Sequence, residues 1–226
     1  MIRVISYNLR ENHASGELAA LVAENALDVL CLQECDTADL PVELGDLTLA
    51  DSTKRNRLGL ALYYNKSRFT AVKTGTFALK KSLHDRILAP AHERLLGSRL
   101  IDNQTKQEIV VASFHAAPLT ALNSLRRNQI RAAHGELRGL GEGLPALMVG
   151  DYNYPWFKKN LSEHMQETGY DLTLSETRTY TRYKFFRGHF DFATSMGLRI
   201  DKVETLPRGA SDHMPILVTA DYITAS

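Results

Sequence analysis

The stretch ALDVLCLQE, Ala26 to Glu34, is an almost unbroken apolar run that stops on an amide and an acid. Such a run is the mark of a strand covered on both faces, and the residues before it indicate what covers it. Ile2 to Tyr7, in IRVISYN, alternates apolar and polar residues with β-branched content and reads as a strand ending at Asn8. Between the two, Ser15 stands as a helix N-cap, and Leu18, Leu21 and Val22 recur at helical spacing up to Asn25. Strand, helix and strand in that order point to a layered α/β protein.

The same pattern continues along the chain. LGLALYYN reads as a strand, and RLIDNQTKQEIVVASFH as a hairpin around the polar turn DNQTKQ, its second arm ending at His115. Leu122, Leu125, Ile130, Ala133 and Leu137 form a helical stripe that Gly139 is expected to stop. A strand at LPALMV, a helix from about Lys159 to Thr168, and strands around HFDFATS and PILVTADY complete the reading. Residues 65–100, between YYN and SRLID, carry no interpretable motif.

At 226 residues, without a linker, repeat or low-complexity tract, the chain reads as one domain over 1–226. A hydrophobic fraction of 44% and a charged fraction of 23% are ordinary for a soluble protein, and a net charge of +1 gives no global preference for nucleic acid or anionic membranes. Any selectivity for anions must be local. The N-terminal residues lack the pattern of a secretory signal, and no stretch is long enough to span a bilayer. Cys31 and Cys35 lie four apart with no second pair to complete a zinc site, so free, partly buried thiols and a reducing, cytoplasmic setting are expected.

Polar residues recur where the strands stop. Singly each is ordinary: Asn8 as a turn former, Glu34 as a capping or surface carboxylate, His115 as a structural histidine, and SDHMP (211–215) as a loop with an Asx-turn. Their combination is a coherent chemical set. Carboxylate oxygens suit a hard cation such as magnesium, while amides and histidines orient a phosphate and stabilise charge developing on its oxygens. In LMVGDYN, Gly150 leaves room for close approach, Asp151 and Asn153 enter the turn, and alternation sends Tyr152 back into packing.

Asn8 in SYNLR, Glu34 in LQE, His115 in ASFHAAP, Asp151 and Asn153 in GDYN, Asp191 in HFDFATS, and the terminal SDHMPI occur in the order seen in the endonuclease/exonuclease/phosphatase superfamily. The resemblance covers nearly the whole chain. It implies an α/β four-layer sandwich of two mixed β-sheets flanked by helices, with the site at one end of the sheets. It also implies a divalent-metal-dependent phosphoesterase using magnesium, with manganese as an alternative. By the matching motifs, Glu34 would be the principal metal ligand, assisted by Asn8, with Asp212 completing or shaping the site. Asp151 would orient or deprotonate the attacking water and Asn153 would donate to a phosphate oxygen. His213 would contact the phosphate with Asp191 fixing its tautomer, and His115 would donate from the opposite side.

Two departures stand out. Arg10 takes a place where the abasic-site endonuclease branch carries an acid, which puts a second metal contact of that kind in question. Relatives of pancreatic deoxyribonuclease pair the His115 equivalent with a glutamate from an earlier strand; near KRNRLGLALYY, Lys54, Arg55 and Arg57 stand instead, as a solvated turn or a phosphate contact. RTYTRYKFFRGHF (178–190) mixes aromatic and basic residues, with Arg178, Arg182, Tyr183 and Arg187 as candidates to bind DNA or RNA. Its simpler reading is an alternating strand pair with aromatics inside. Arg126 and Arg127 read as surface or packing residues of a helix. A nuclease reading rests on the 178–190 segment, and a small phosphate-ester reading on compact length and near-neutral charge. The alternative in another class is a non-catalytic binding module on the same scaffold. No protein partner is indicated.

Overall fold

The structure, a computed structural model, describes residues 1–82, 92–154, 158–180 and 188–223. Its elements run β1 (Ile2–Asn8), α1 (Leu18–Asn25), β2 (Val29–Cys35), β3 (Glu43–Leu44), β4 (Leu47–Ser52), β5 (Gly59–Asn65), β6 (Phe69–Phe77), β7 (Leu95–Asp102) and β8 (Glu108–His115). Then come α2 (Asn123–Leu140), β9 (Ala146–Asp151), α3 (Lys158–Gln166), β10 (Asp171–Leu174), β11 (Asp191–Met196), β12 (Leu198–Thr205) and β13 (Ile216–Tyr222).

Seven strands form one sheet in the order β12-β13-β1-β2-β5-β4-β3, and six form the other in the order β10-β11-β9-β8-β7-β6. Each sheet contains one parallel pair, β1 with β2 and β8 with β9, and each pair is joined through a helix. Three apolar layers separate the four structural ones. Val4, Val29, Cys31, Leu62, Val111, Leu147 and Val149 fill the space between the sheets. Ile5, Tyr7, Leu30 and Leu32 pack with Leu18 and Val22 of α1 on one outer face. Val110, Ala112 and Met148 pack with Ile130, Ala133 and Leu137 of α2, and with Leu161 and Met165 of α3, on the other. This is the expected α/β sandwich of two mixed sheets flanked by helices. β2, β8 and β9 read as apolar runs because both their faces are covered.

A polar bond crosses the seam between the sheets. Gln33 Nε2 on β2 donates to Ser113 Oγ on β8 at 2.9 Å, and that hydroxyl donates to the Leu32 carbonyl at 2.9 Å. All the atoms are buried, so the bond holds the sheets in one register.

Several local expectations are corrected. Ser15 does not cap α1: Ser15–Glu17 is a 3-10 turn, and Glu17 occupies the cap position without a side-chain bond. α2 continues through Gly139 to Leu140, with Gly141 at its end. Cys31 and Cys35 are free and fully buried, and burial pushes the Cys35 thiol up to about 12, so both are inert core residues. β6 lies inside the stretch without a motif. Among the described residues, no helix is long and apolar enough to cross a membrane.

Candidate active site

Period-two alternation builds most of the site. On β1, Ile2, Val4, Ser6 and Asn8 share the face toward the other sheet; on β8, Ile109, Val111, Ser113 and His115 do the same; on β9, Leu147, Val149 and Asp151. Asn8, His115 and Asp151 are the last residues of these strands, all at the carboxyl ends of parallel pairs, where open α/β sheets form ligand crevices. Asp191 opens antiparallel β11 directly opposite Asp151, and His115 is paired with Asp151 on its other side, so the three stand in one row.

Glu34 breaks the alternation. Its parity would turn it toward α1 with Leu30 and Leu32, but the β2/β5 register shifts between Gln33 and Cys35 and Glu34 takes φ +54. This bulge re-aims the carboxylate toward the seam, a common device beside functional sites. A left-handed non-glycine residue costs roughly 1–2 kcal/mol. Glu34 is held there by Asn12 N–H on its carbonyl and Glu11 N–H on Oε2, both at 2.9 Å. Arg10, Glu11 and Asn12 are themselves left-handed, with φ of +47, +51 and +67, so strain is concentrated around this carboxylate.

The ends of the two sheets meet at Asn8. Its Nδ2 donates to Asp151 Oδ2 at 3.1 Å and lies 3.5 Å from Glu34 Oε1. His115 Nε2 is 3.7 Å from both Glu34 Oε1 and Asp151 Oδ2. His213 Nδ1 meets Asp191 Oδ2 at 2.8 Å, and its Nε2 is 3.8 Å from Asp151 Oδ2. The Asn153 N–H donates to Asp151 Oδ1 at 2.8 Å, and its side-chain amide lies 3.2 Å from Oδ2. Arg10 Nε is 3.8 Å from Asp212 Oδ2. Seven of the eight residues expected at the site are joined by these contacts, and Asp212 stands beside Arg10, whose N–H is held by Asn8 Oδ1.

Burial sets their charges apart. Desolvation pushes the Asp151 carboxyl up to about 7; His213 opposes the shift, while Asp191 and Glu34 add to it. Burial works against charge on His213, but Asp191 and Asp151 outweigh it and lift the imidazole to about 10. Glu34 also pays desolvation, yet the His115 ring, the Glu11 N–H, His213 and Asn8 hold it below the usual carboxylate range. Ligand atoms of Asp151, Asp191 and His213 lie within 4.8 Å of one another, a grouping able to hold a metal ion.

Supporting contacts come from places where no motif was legible. Arg94 Nη1 donates to the carbonyls of His115 and Ala116, each at 2.9 Å, and fixes the strand end that presents His115. Arg126 turns inward to the Pro118 carbonyl at 2.7 Å and to Asn123, while Arg127 reaches the Tyr154 hydroxyl at 3.0 Å. The Thr179 hydroxyl accepts the Phe190 and Asp191 N–H groups at 3.0 Å, and the Tyr180 ring lies 4.9 Å from that of His213. The basic turn at Lys54–Arg57 is tied down by Glu93, whose Oε2 accepts the Lys54 and Arg55 N–H groups. Arg178 is exposed; Arg182, Tyr183 and Arg187 lie outside the described residues.

Gly150 has φ +152, and a Cβ there would fall 1.9 Å from the Phe114 carbonyl oxygen. Gly150→Ala is expected to cost more than about 1 kcal/mol by forcing β9 from β8; chemical denaturation reads the loss directly. Tyr152 points away from the cleft, stacked 3.8 Å from Phe192. Its hydroxyl meets Thr194, which also bonds His134 Nε2 at 3.0 Å; His134 Nδ1 bonds Thr168, whose hydroxyl donates to Met165. Because the Thr168 hydroxyl donates to Met165, it accepts from His134 Nδ1, and burial, aided by Arg138, lowers His134 to about 3 and keeps the ring neutral. The folded pKa lies below the unfolded one, so this contribution is present above about 6.5 and is lost as pH falls toward 3, at up to about 1.4 kcal/mol per unit. His134→Gln is expected to flatten that part of a stability-versus-pH curve.

The fold recurs in solved structures at low identity. Mannosyl-6-phosphatase Bt3783 from Bacteroides thetaiotaomicron superposes with a TM-score of 0.78 at 17% identity, covering 98% of this chain and 100% of that one. The human Nocturnin catalytic domain with bound sulfate gives 0.77 at 16%, covering 98% and 94%. D. rerio TDP2 complexed with a single-strand DNA product gives 0.76 at 14%, covering 97% and 98%. No curated protein sequence matches the chain. The model of the Endonuclease/Exonuclease/phosphatase family matches residues 5–213, from the first strand through His213, and the chain belongs to that family.

Proposed function

We propose that the protein is a divalent-metal-dependent hydrolase that cleaves phosphoester bonds by attack of water. One observation carries this reading: a His115–Asp151–Asp191 row from one sheet, its two carboxylates buried, faces Glu34 and Asn8 from the other, with His213 closing the end. The donor set fits a hard cation. Oxygens of Glu34 and Asp151 flank Asn8, and Asp151 carries a raised pKa that nearby positive charge would relieve. Glu34 and Asn8 would hold magnesium or manganese, with Asp212 beside them; when bound, the ion supplies Lewis-acid polarisation of a phosphoryl oxygen.

The chain's own groups then divide the remaining work. Asp151, in its ionised form, orients the water and accepts its proton as the new P–O bond forms and the ester P–O bond breaks. His213, held as a cation by Asp191, faces the negative charge that develops on phosphorus-bound oxygens, and His115 donates from the Glu34 side. Asn153 supplies a donor once its amide turns from Asp151 to a phosphate oxygen. Asn8 Oδ1 accepts the Arg10 N–H at 2.9 Å, so it serves a metal through its second lone pair. A binding module without catalysis is disfavoured because every one of these groups is present and converges.

Two substrate classes fit. A phosphodiester in single-stranded DNA or RNA is supported by the aromatic and basic segment at 178–190, whose flanks Tyr180 and Phe190 both face the His213 ring. A small phosphate ester is supported by the near-neutral charge. The buried, reduced thiols support a cytoplasmic setting. Comparing hydrolysis of single-stranded DNA, abasic duplex, RNA and small phosphate esters decides between the classes; inactivity on all of them with magnesium or manganese present would refute the proposal.

A further inference from the structure

We propose that Asn12 is a positioning residue for the divalent-ion site: it fastens the left-handed turn whose backbone N–H groups hold Asn8 and Glu34 in place. The inference rests on the divalent-ion reading above and adds what fixes the two ligands before an ion arrives. Three consecutive N–H groups of that turn reach them. Arg10 N–H donates to Asn8 Oδ1, Glu11 N–H to Glu34 Oε2 and Asn12 N–H to the Glu34 carbonyl, each at 2.9 Å. One turn thus fixes a side-chain oxygen of each ligand, together with the backbone of the bulge that aims Glu34.

These three bonds exist only while residues 10–12 stay left-handed, with φ of +47, +51 and +67. Arginine and glutamate resist that backbone, whereas asparagine favours it among non-glycine residues. Asn12 also carries a second tie. Its Oδ1 accepts the Asp36 N–H at 3.0 Å while its own N–H reaches the Glu34 carbonyl, so one residue holds the chain on both sides of Cys35. The turn closes on itself through the His13 and Ser15 N–H groups, which donate to the Arg10 carbonyl at 3.0 Å and the Asn12 carbonyl at 3.2 Å. The Asn12–Asp36 bond lies at the surface, where water replaces a lost partner, so the fold depends on it little. Ion binding depends on it more. A turn that relaxes lowers the fraction of chains with both ligands in place, and apparent affinity falls by that fraction.

Metal-free protein titrated with Mn²⁺, with free ion read by electron paramagnetic resonance, tests this without reference to activity. Asn12→Ala is expected to weaken Mn²⁺ binding about tenfold, because alanine is disfavoured in the left-handed backbone and offers Asp36 no acceptor. Asn12→Gly restores the backbone alone and is expected to bind within about threefold of the wild type. Asn12 is half-buried in a surface turn outside the apolar layers, so the fold survives both substitutions. Denaturation of the chelated proteins supplies the control: a merely structural role lowers their stability and leaves ion affinity unmoved. Wild-type affinity in Asn12→Ala, or a loss in Asn12→Gly as large as in Asn12→Ala, would overturn the assignment while leaving divalent-ion binding intact. No bound ion in the wild type would overturn both.

Discussion

Asp151→Asn is expected to abolish hydrolysis and at the same time to stabilise the metal-free protein. The first effect follows from losing the group that takes the water's proton, a role worth on the order of 10²–10⁴ in rate. The second follows from burial. Asp151 is 2% exposed, stands directly opposite Asp191, and has its pKa raised from 3.8 to about 7. With the folded pKa above the unfolded one, its contribution to stability is fully present below about 3.8 and is lost as pH rises through about 7. Asparagine removes the charge and keeps an oxygen for the Asn153 N–H, at the cost of the Oδ2 acceptor that Asn8 Nδ2 uses. A gain of about 1–3 kcal/mol above pH 7 is expected from removing a carboxyl raised from 3.8 to about 7, discounted for relaxation of the site and for the acceptor lost to Asn8. Denaturation of the chelated wild type and variant at about pH 8 measures it; a less stable variant would contradict the burial argument, and retained activity would contradict the mechanism.

Asp191→Asn carries the second large effect. His213 is cationic because Asp191 and Asp151 outweigh its desolvation. With Asp191 neutralised, burial regains its weight and the imidazole loses its proton at a lower pH. The expected result is a fall in kcat of about 10²–10³, the scale of removing one preorganised donor to developing charge. The alkaline limb of the pH–rate profile should also move down from near 10 toward neutrality. A uniform loss of rate with an unmoved alkaline limb would show that Asp191 serves only to support the fold.

The legibility of the site in the sequence follows from its geometry. Asn8, His115 and Asp151 stand at the last inward position of strands covered on both faces, so an apolar run ending on a polar residue exposes them to simple alternation. Glu34 escapes that logic: counting by twos from Leu30 and Leu32 sends it to the wrong face, and only the bulge and the left-handed backbone bring it in. Its place came from family resemblance, not from periodicity. Arg94 and the Gln33–Ser113 bond were invisible because their partners lie 21 to 81 residues away.

Five strands, β3, β4, β6, β10 and β12, have no signal in the sequence, and β6 and β10 show why. β6 is half-exposed along most of its length, and β10 has no fully buried residue, so neither shows an apolar run or clean alternation. Ser15 has the right chemistry for a cap, but a 3-10 turn intervenes before α1 and removes it from the cap position. The pairing of Arg10 with Asp212 depends on three successive left-handed residues, for which a run of Arg, Glu and Asn gives no local warning.

In the proposed function, the seam between the sheets hydrolyses phosphoesters with a divalent ion held by Glu34 and Asn8. Its most direct measurement is the rate of cleavage of a generic phosphodiester and a generic phosphomonoester by chelated protein, before and after adding magnesium or manganese, in wild type and Glu34→Gln. No cleavage is expected before the ion is added, with recovery on its addition in the wild type and a recovery at least about 10²-fold weaker in Glu34→Gln. Full activity in the chelated protein, or equal recovery in the variant, would contradict it.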